Sequence, residues 1–198
     1  MKEVVFVTGN PSKAAYLSRM VDYPLEHFKY DHPEIQARTL EEIVEEKARS
    51  AYEKVGKAVL VEDVALGIDE HGGLPGPFIK FYVEPDTGAG ETDSGETRTE
   101  RLERLCRIAD STATRRATAA CVMGYYDGER LELMRGELHG TIADHPRGTN
   151  SFGWDAVFCP DGFGGNTRAE LTPSDDAATY ATIKPFAALR ELLASLGS

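Results

Sequence analysis

Residues 4–13 read VVFVTGNPSK, and this stretch sets the fold class expected for the chain. Its first four residues are an apolar run rich in β-branched side chains, which predicts a short buried strand. The Thr8 to Lys13 segment follows as a turn, and residues 14–21 carry apolar side chains at helical spacing. A buried strand that leads through a tight turn into an amphipathic helix is typical of an α/β sheet.

The alternation of strand and helix continues along the first third of the chain. Residues 25–31 predict a second strand, and the capping box Thr39-Leu40-Glu41-Glu42 opens a helix that Gly56 is expected to end. Residues 58–61 predict a buried strand with the acidic pair Glu62-Asp63 at its C-terminal end. We therefore expect an α/β fold with a central mixed twisted sheet, flanking helices and two lobes around an active-site cleft. Ligands of such sheets bind beyond the carboxyl ends of the strands.

The 198 residues fit a single domain. Asp127-Gly128 joins two strand-like segments, residues 116–126 and 130–142, and predicts a hairpin. We also expect a rigid turn-rich loop, a flexible insertion, a helix, a short strand, a polar loop and a C-terminal amphipathic helix. In that order, the first four cover residues 72–77, 85–97, 99–110 and 156–159, and the last helix runs through Phe186, Leu189, Leu192 and Leu193.

Composition limits the compartment and the partners. The formal net charge of -11 argues against a nucleic-acid duplex or an anionic membrane as partner, because proteins that bind such polyanions normally have a basic surface. No apolar run is long enough to cross a membrane, and the N-terminus has no signal-peptide pattern. The three cysteines are far apart and odd in number, which favours free thiols in a reducing compartment. We expect a cytoplasmic protein.

The turn at residues 8–13 is a candidate anion site. Backbone N–H groups at a helix start have no intrahelical partner, and the helix dipole is positive there. Gly9 lets the backbone approach a phosphate, Thr8 and Asn10 offer hydrogen bonds, and Lys13 adds a full charge. The Gly-Lys-Ser/Thr ending of a Walker A loop is missing. An ordinary strand-to-helix turn with Pro11 in the first helical turn is the alternative.

Carboxylates from separate segments form a candidate metal site. Glu62-Asp63 follows a predicted strand, and Glu34 lies upstream within Pro33-Glu34-Ile35-Gln36. Hard oxygen ligands of this kind hold Mg²⁺, which keeps several waters and is completed by substrate phosphates. In a chain so rich in acids, a solvated surface charge is the alternative for each of these residues.

Phe152-Gly153-Trp154-Asp155 is a candidate base-binding segment. Trp154 is the only tryptophan of the chain. With Phe152 it could stack on a nucleobase, an interaction worth ~1–3 kcal/mol per base in single-strand binders. The alternative is that both aromatic side chains belong to the core.

Taken together, these segments resemble the inosine triphosphatase family, which removes non-standard purine nucleotides such as ITP, XTP and dITP. The resemblance runs from Val4 to about Leu171, and the motifs occur in the family's order and at about its spacing. They are Thr8-Gly9-Asn10-x-x-Lys13, Pro33-Glu34, Val61-Glu62-Asp63, the segment GGLPGPFIK at residues 72–80, Phe152-Gly153-Trp154-Asp155 and Pro160-Asp161-Gly162-Phe163.

The resemblance implies a magnesium-dependent cleavage of a nucleoside triphosphate into a monophosphate and pyrophosphate. It assigns the triphosphate to the first loop and marks two lysines as further phosphate or sugar-side cations. These residues are Thr8, Gly9, Asn10 and Lys13 in the loop, followed by Lys47 and Lys80. It implies Glu34 and Asp63 as Mg²⁺ ligands, and Asp63 also as the general base. Water would attack the α-phosphorus, and the metal and lysines would stabilise the leaving oxygens.

The resemblance also assigns the base and sugar pocket to Phe152, Gly153, Trp154 and Asp155, and it implies a homodimer. The chain departs from the family after Ala169-Glu170-Leu171, where a Lys and then a Ser-His-Arg triplet are usual. Here Lys184 is the only cation before the last helix, at a position that does not match. Val64 also replaces a usual Ser or Thr. Two alternatives follow: a pyrophosphatase with changed base specificity, or a nucleotide-binding module that has lost turnover.

Overall fold

The computed structural model describes residues 2–30, 35–84, 96–149 and 153–197. Within these ranges the chain forms seven strands and six α-helices. The strands are β1 (Val4–Val7), β2 (Leu25–Phe28), β3 (Ala58–Ile68), β4 (Leu74–Gly76), β5 (Arg116–Tyr126), β6 (Leu131–Ile142) and β7 (Phe158–Pro160). The helices are α1 (Pro11–Met20), α2 (Leu40–Val55), α3 (Ile79–Val83), α4 (Arg98–Ala109), α5 (Pro173–Ile183) and α6 (Phe186–Leu196).

The strands form one mixed sheet, which confirms the predicted fold class. The strand order is β2-β1-β3-β5-β6-β7, and β4 pairs with β3 outside this path. β1 runs parallel to both β2 and β3, whereas β4 is antiparallel to β3 and β7 is antiparallel to β6. No helix in the described part of the chain has both the length and the apolar character required to cross a bilayer.

The chain divides into two compact units, which share strands β3, β5 and β6. The first unit comprises residues 1–64, 121–136 and 184–198, and the second comprises residues 65–120 and 137–183. In the first unit, α1 packs on α6, since the rings of Tyr16 and Phe186 are 5.9 Å apart and Arg190 Nη2 donates to the Met20 carbonyl at 2.7 Å.

Helix α2 and the β5–β6 hairpin have the ends that the sequence predicts. Thr39 caps α2 by accepting from the Glu42 backbone N–H, and Gly56 ends it with a φ of 69°. In the turn of the hairpin, Asp127 Oδ1 accepts from the backbone N–H groups of Glu129 and Arg130 at 3.1 and 2.8 Å. A side-chain acceptor in the turn replaces backbone partners there.

In the second unit, a buried side chain of α4 and a turn residue hold the helix in place. Arg101 donates to the Phe81 carbonyl of α3 at 3.2 Å. Arg115, with a φ of 53°, donates to the carbonyls of Ile142 on β6 and Cys106 on α4 at 2.8 and 3.0 Å. These bonds add side-chain donors to carbonyl groups of α3, α4 and β6, and the Cys106 carbonyl also accepts from the Asp110 N–H at 3.2 Å.

Strand β3 is longer than predicted, and the placement of Glu62-Asp63 at its end was wrong. The strand continues through the apolar residues 64–68, and residues 66–68 pair with β4. Its parallel pairing with β1, however, runs from Ala58 to Leu60 only. The two acids therefore lie inside β3, just beyond the residues that pair with β1.

Two loops of the sequence prediction contain regular structure. The polar loop expected before Phe186 contains helix α5, which has Asp175 and Asp176 in its first turn and only Thr179 and Ile183 buried. A helix with two buried positions has little apolar periodicity, so the pattern did not indicate it. The turn-rich loop at residues 72–77 contains β4. Most of the predicted insertion, residues 85–95, lies outside the described residues.

Candidate active site

The turn between β1 and α1 is an N-capped helix start. Asn10 Oδ1 accepts from the Lys13 backbone N–H at 3.4 Å, and Thr8 Oγ1 accepts from the Asn10 N–H at 3.1 Å. Thr8, Gly9 and Asn10 are half-buried. Helix α1 begins at Pro11, so the segment is also an ordinary strand-to-helix turn with a proline at the first helical position. Such a turn also directs backbone N–H groups away from the helix, as an anion site requires.

Glu62 on β3 is a buried carboxylate shared by two lysines. Its Oε2 accepts from Lys184 Nζ at 2.8 Å, and its Oε1 lies 3.1 Å from Lys13 Nζ. The side chains of Glu62 and Lys184 are each only 5% exposed, and that of Lys13 is 27% exposed. Burial raises the pKa of Glu62, but Lys184 and Lys13 outweigh it and lower the pKa to about 2. Glu62 is therefore a carboxylate at neutral pH.

Asp63, the next residue on β3, pairs with a different helix. Lys47 Nζ of α2 donates to its Oδ2 at 3.1 Å, and the Val64 backbone N–H donates to its Oδ1 at 2.8 Å. Successive side chains of a strand point to opposite faces, which explains why neighbouring acids meet different lysines. The Asp63 side chain is 18% exposed, so both of its oxygens are oriented while the carboxylate still reaches solvent.

The acids on β3 suit a hard cation, although only part of the predicted metal site is described. Glu34 lies outside the described residues, and within the ranges they cover no group of three or more His, Cys, Asp or Glu side chains could hold a metal ion. Mg²⁺ keeps several waters and often takes only one or two carboxylates from the protein. Asp63 offers carboxylate oxygens as metal ligands, and its partly exposed side chain leaves room for the waters that Mg²⁺ keeps.

The predicted base-binding segment lies in the second unit. Trp154 is 8% exposed and packs edge-on against Phe158, with ring centroids 5.6 Å apart and an interplanar angle of 89°. The Arg168 guanidinium lies 5.8 Å from the centroid of the Trp154 ring. Gly153, with a φ of 54°, accepts from Arg98 Nη2 at 2.8 Å. Phe152 lies outside the described residues.

Lys80 is also in the second unit, on α3. Its side chain is half-buried, and its Nζ lies 5.0 Å from the centroid of the Phe81 ring. The structure thus joins Lys13 to Glu62 and Lys47 to Asp63 in the first unit, and it keeps Gly153, Trp154 and Asp155 together in the second.

Sequence reasoning missed two residues, Lys184 and Arg168. Lys184 stands between Ile183 and Pro185 at the start of an apolar helix, and a single charge in such surroundings could have indicated a buried partner. Arg168 is 3% exposed and pairs with Asp155 at 2.7 Å and with Asp176 at 2.6 Å. Nothing in the local sequence indicates that this arginine is buried.

The mixed sheet and its ion pairs define the class of protein. It is an α/β protein with a polar centre that suits an anionic ligand, formed by Glu62 and Asp63 with Lys13, Lys47 and Lys184. The chain belongs to the Ham1 family, whose family model matches residues 4–192.

Two named pyrophosphatases are similar to the chain in sequence, and a solved HAM1 protein is similar to it in structure. The chain is 35% identical over 191 residues to inosine triphosphate pyrophosphatase 2 of Trypanosoma cruzi, covering 95% of this chain and 90% of the relative. It is 33% identical over 173 residues to the dITP/XTP pyrophosphatase of Methanopyrus kandleri, covering 85% and 84% of the two chains. A HAM1 protein from Coxiella burnetii has a similar structure, with a TM-score of 0.80, 26% identity and 98% and 100% coverage.

Proposed function

We propose that the chain hydrolyses nucleoside triphosphates, chiefly the non-standard purines ITP, XTP and dITP, to a monophosphate and pyrophosphate. Such an enzyme removes these nucleotides from the nucleotide pool. The observation that carries the proposal is the arrangement on β3, where Glu62 pairs with Lys13 of α1 and with Lys184, and Asp63 pairs with Lys47 of α2. The family membership and the pyrophosphatase relatives support the same reaction.

Thr8, Gly9, Asn10 and Lys13 would hold the terminal phosphates. Lys13, whose side chain is partly exposed, and the backbone N–H groups at the start of α1 are the donors that a polyanion needs. Lys47 and Lys80 would add positive charge along the phosphates or the sugar side. Pyrophosphate is then the group held by the protein as it leaves, and donors placed on it stabilise the charge it gains.

Asp63 would act as the general base. Its carboxylate takes a proton from water, the water oxygen bonds to the α-phosphorus, and the bond from that phosphorus to the bridging oxygen of pyrophosphate breaks. The bonds from Lys47 and from the Val64 N–H fix the orientation of the carboxylate, as a base needs. Asp63 and Glu34 would hold Mg²⁺, and a bound Mg²⁺ neutralises charge on the phosphate oxygens.

Phe152, Gly153, Trp154 and Asp155 would form the base and sugar pocket. Trp154 would supply an aromatic ring for stacking, and stacking tolerates any base because every base has a π-face. The missing Ser-His-Arg triplet favours a second candidate, the same hydrolysis with weaker selection among purines. We further propose a cytoplasmic homodimer. The three buried free thiols, Cys106, Cys121 and Cys159, support a reducing compartment.

Pyrophosphate release from a panel of nucleotides tests the proposed function. We expect Mg²⁺-dependent release from ITP, XTP and dITP, measured by a coupled assay. A nucleotide that binds, as shown by calorimetry, without any pyrophosphate release across the panel would instead indicate a nucleotide-binding module.

A further inference from the structure

Lys184 occupies the short link between α5 and α6. It is almost fully buried, and its ammonium group donates to Glu62 at 2.8 Å. Taking both charges of such a pair out of water is costly, and a well-packed apolar pair of similar volume is often at least as stable. Stability alone therefore gives a weak reason for a lysine at this position, which leaves a role in the polar centre.

Glu62 connects Lys184 to the anion site. One carboxylate oxygen meets Lys184, and the other lies 3.1 Å from Lys13, whose side chain reaches solvent. Two ammonium groups around one carboxylate leave one net positive charge. Without Lys184, Lys13 and Glu62 would form a neutral pair, and the positive field at the start of α1 would fall.

The neighbouring acid shows the contrast. Among the ion pairs that the described residues form, Asp63 meets one lysine, Lys47, whereas Glu62 meets two. Over these pairs the charges of Asp63 and Lys47 balance, and the two lysines around Glu62 leave one positive charge.

We propose that Lys184 is a positioning residue that binds one oxygen of Glu62 and offsets its charge, so that Lys13 stays available to the terminal phosphates of the substrate. This inference rests on the proposed function, because the anion concerned is the triphosphate or the pyrophosphate product. Lys184 acts through Glu62 and makes no contact with the nucleotide.

The test is the affinity of the full chain for inorganic pyrophosphate, measured by titration calorimetry in metal-free buffer of low ionic strength. We expect Lys184→Met to weaken binding by about tenfold or more, because one buried charge near the anion is lost. Lys184→Arg keeps the charge and should stay within about threefold of the wild type. The double variant Lys184→Met, Glu62→Gln restores one net positive charge and should likewise bind within about threefold of the wild type.

Lys57→Met is the matched control. Lys57 is an exposed lysine that pairs with Glu3 and Glu26, so its loss changes the net charge of the protein equally but should leave pyrophosphate binding intact. If Lys184→Met does not fold, Lys184→Gln takes its place. If that variant does not fold either, the double variant decides, because it removes the buried pair as a whole.

Wild-type affinity in a folded Lys184→Met or Lys184→Gln variant would overturn the inference alone. A double variant that binds pyrophosphate as weakly as the single variant would also overturn it. Where no single variant folds, a double variant that binds pyrophosphate more than about threefold more weakly than the wild type would do the same. A wild-type protein that does not bind pyrophosphate would overturn both this inference and the phosphate role of Lys13. The nucleotide panel then shows separately whether hydrolysis takes place.

Discussion

Arg168 donates through Nη1 to Asp155 Oδ1 at 2.7 Å and thereby holds the residue that follows Trp154. The same guanidinium donates to Asp176 Oδ1 at 2.6 Å and lies 4.8 Å from the centroid of the Tyr180 ring. It is almost fully buried, so two carboxylates and an aromatic ring depend on one buried cation. This network connects helix α5, which the sequence did not predict, to the proposed base-binding segment.

Loss of the Arg168 charge should destabilise the fold. Arg168→Met removes the buried guanidinium from Asp155 and Asp176, and breaking a buried pair in this way typically costs about 3–5 kcal/mol. Chemical denaturation measures the free energy of unfolding. Arg130→Met, which removes an exposed pair with Glu132, is the control and should cost about 0–1 kcal/mol. Equal losses in the two variants would contradict the role of the buried network.

Base selectivity should be weaker than in relatives that carry the Ser-His-Arg triplet. A pocket that hydrogen-bonds a purine oxygen discriminates strongly, because the wrong base leaves buried polar groups unpaired, whereas stacking on Trp154 accepts any base. Values of kcat/KM for ITP, XTP, GTP, ATP and dTTP measure this, with a relative that has the full triplet assayed alongside. A preference for ITP over ATP as steep as in that relative would mean that Tyr180 or another group reads the base in place of the triplet.

Asp63 should be essential to turnover. Asp63→Asn removes the proposed base and an Mg²⁺ ligand, and loss of a general base alone costs typically ~10²–10⁴-fold in rate. Steady-state pyrophosphate release in Mg²⁺ is the measurement. Glu26→Gln neutralises an exposed carboxylate that pairs with Lys57 and serves as the control, with activity unchanged. Undiminished turnover of Asp63→Asn would remove Asp63 from the mechanism.

Asp127 should make part of the stability dependent on pH. Burial raises the pKa of Asp127, but Lys2, the N–H groups of Arg130 and Glu129, and Tyr125 lower it well below its ordinary value. Because the pKa is lower in the folded state, the stabilisation is complete above the unfolded pKa and is lost as the pH falls through the folded pKa. Asp127→Ala should therefore be less stable at pH 7 by about 1–3 kcal/mol.

The difference between Asp127→Ala and the wild type should narrow as the pH falls below about 4, the ordinary pKa of an aspartate. Thermal unfolding at a series of pH values measures it. A gap that stays constant down to the lowest pH at which the protein folds would show that the carboxylate charge is not its cause.

Signals within a few residues of each other predicted most of the fold. The caps at Thr39 and Gly56 gave the bounds of α2, and Asp127-Gly128 gave the hairpin, because each signal acts on the backbone beside it. Helix α5 was not predicted because only Thr179 and Ile183 are buried, which leaves no clear apolar periodicity in its sequence. Strand β3 continues beyond Glu62 and Asp63. Their ion pairs with lysines offset the free-energy cost of placing a buried and a half-buried carboxylate in the strand.

The site was predictable only as a set of separate motifs. The pairing of Lys184 with Glu62 joins residues 122 apart in the sequence, and no local pattern encodes such a contact. The roles assigned to Lys13, Lys47 and Asp63 stay predictions, as do those of Glu34 and Phe152, which lie outside the described residues.

The position of bond cleavage tests the central claim most directly. ITP and Mg²⁺ are incubated with the protein in ¹⁸O-labelled water, and the products are separated by chromatography and analysed by mass spectrometry. Attack at the α-phosphorus predicts IMP that carries one ¹⁸O atom, together with unlabelled pyrophosphate. IDP with labelled orthophosphate, or IMP with labelled pyrophosphate, would contradict the account.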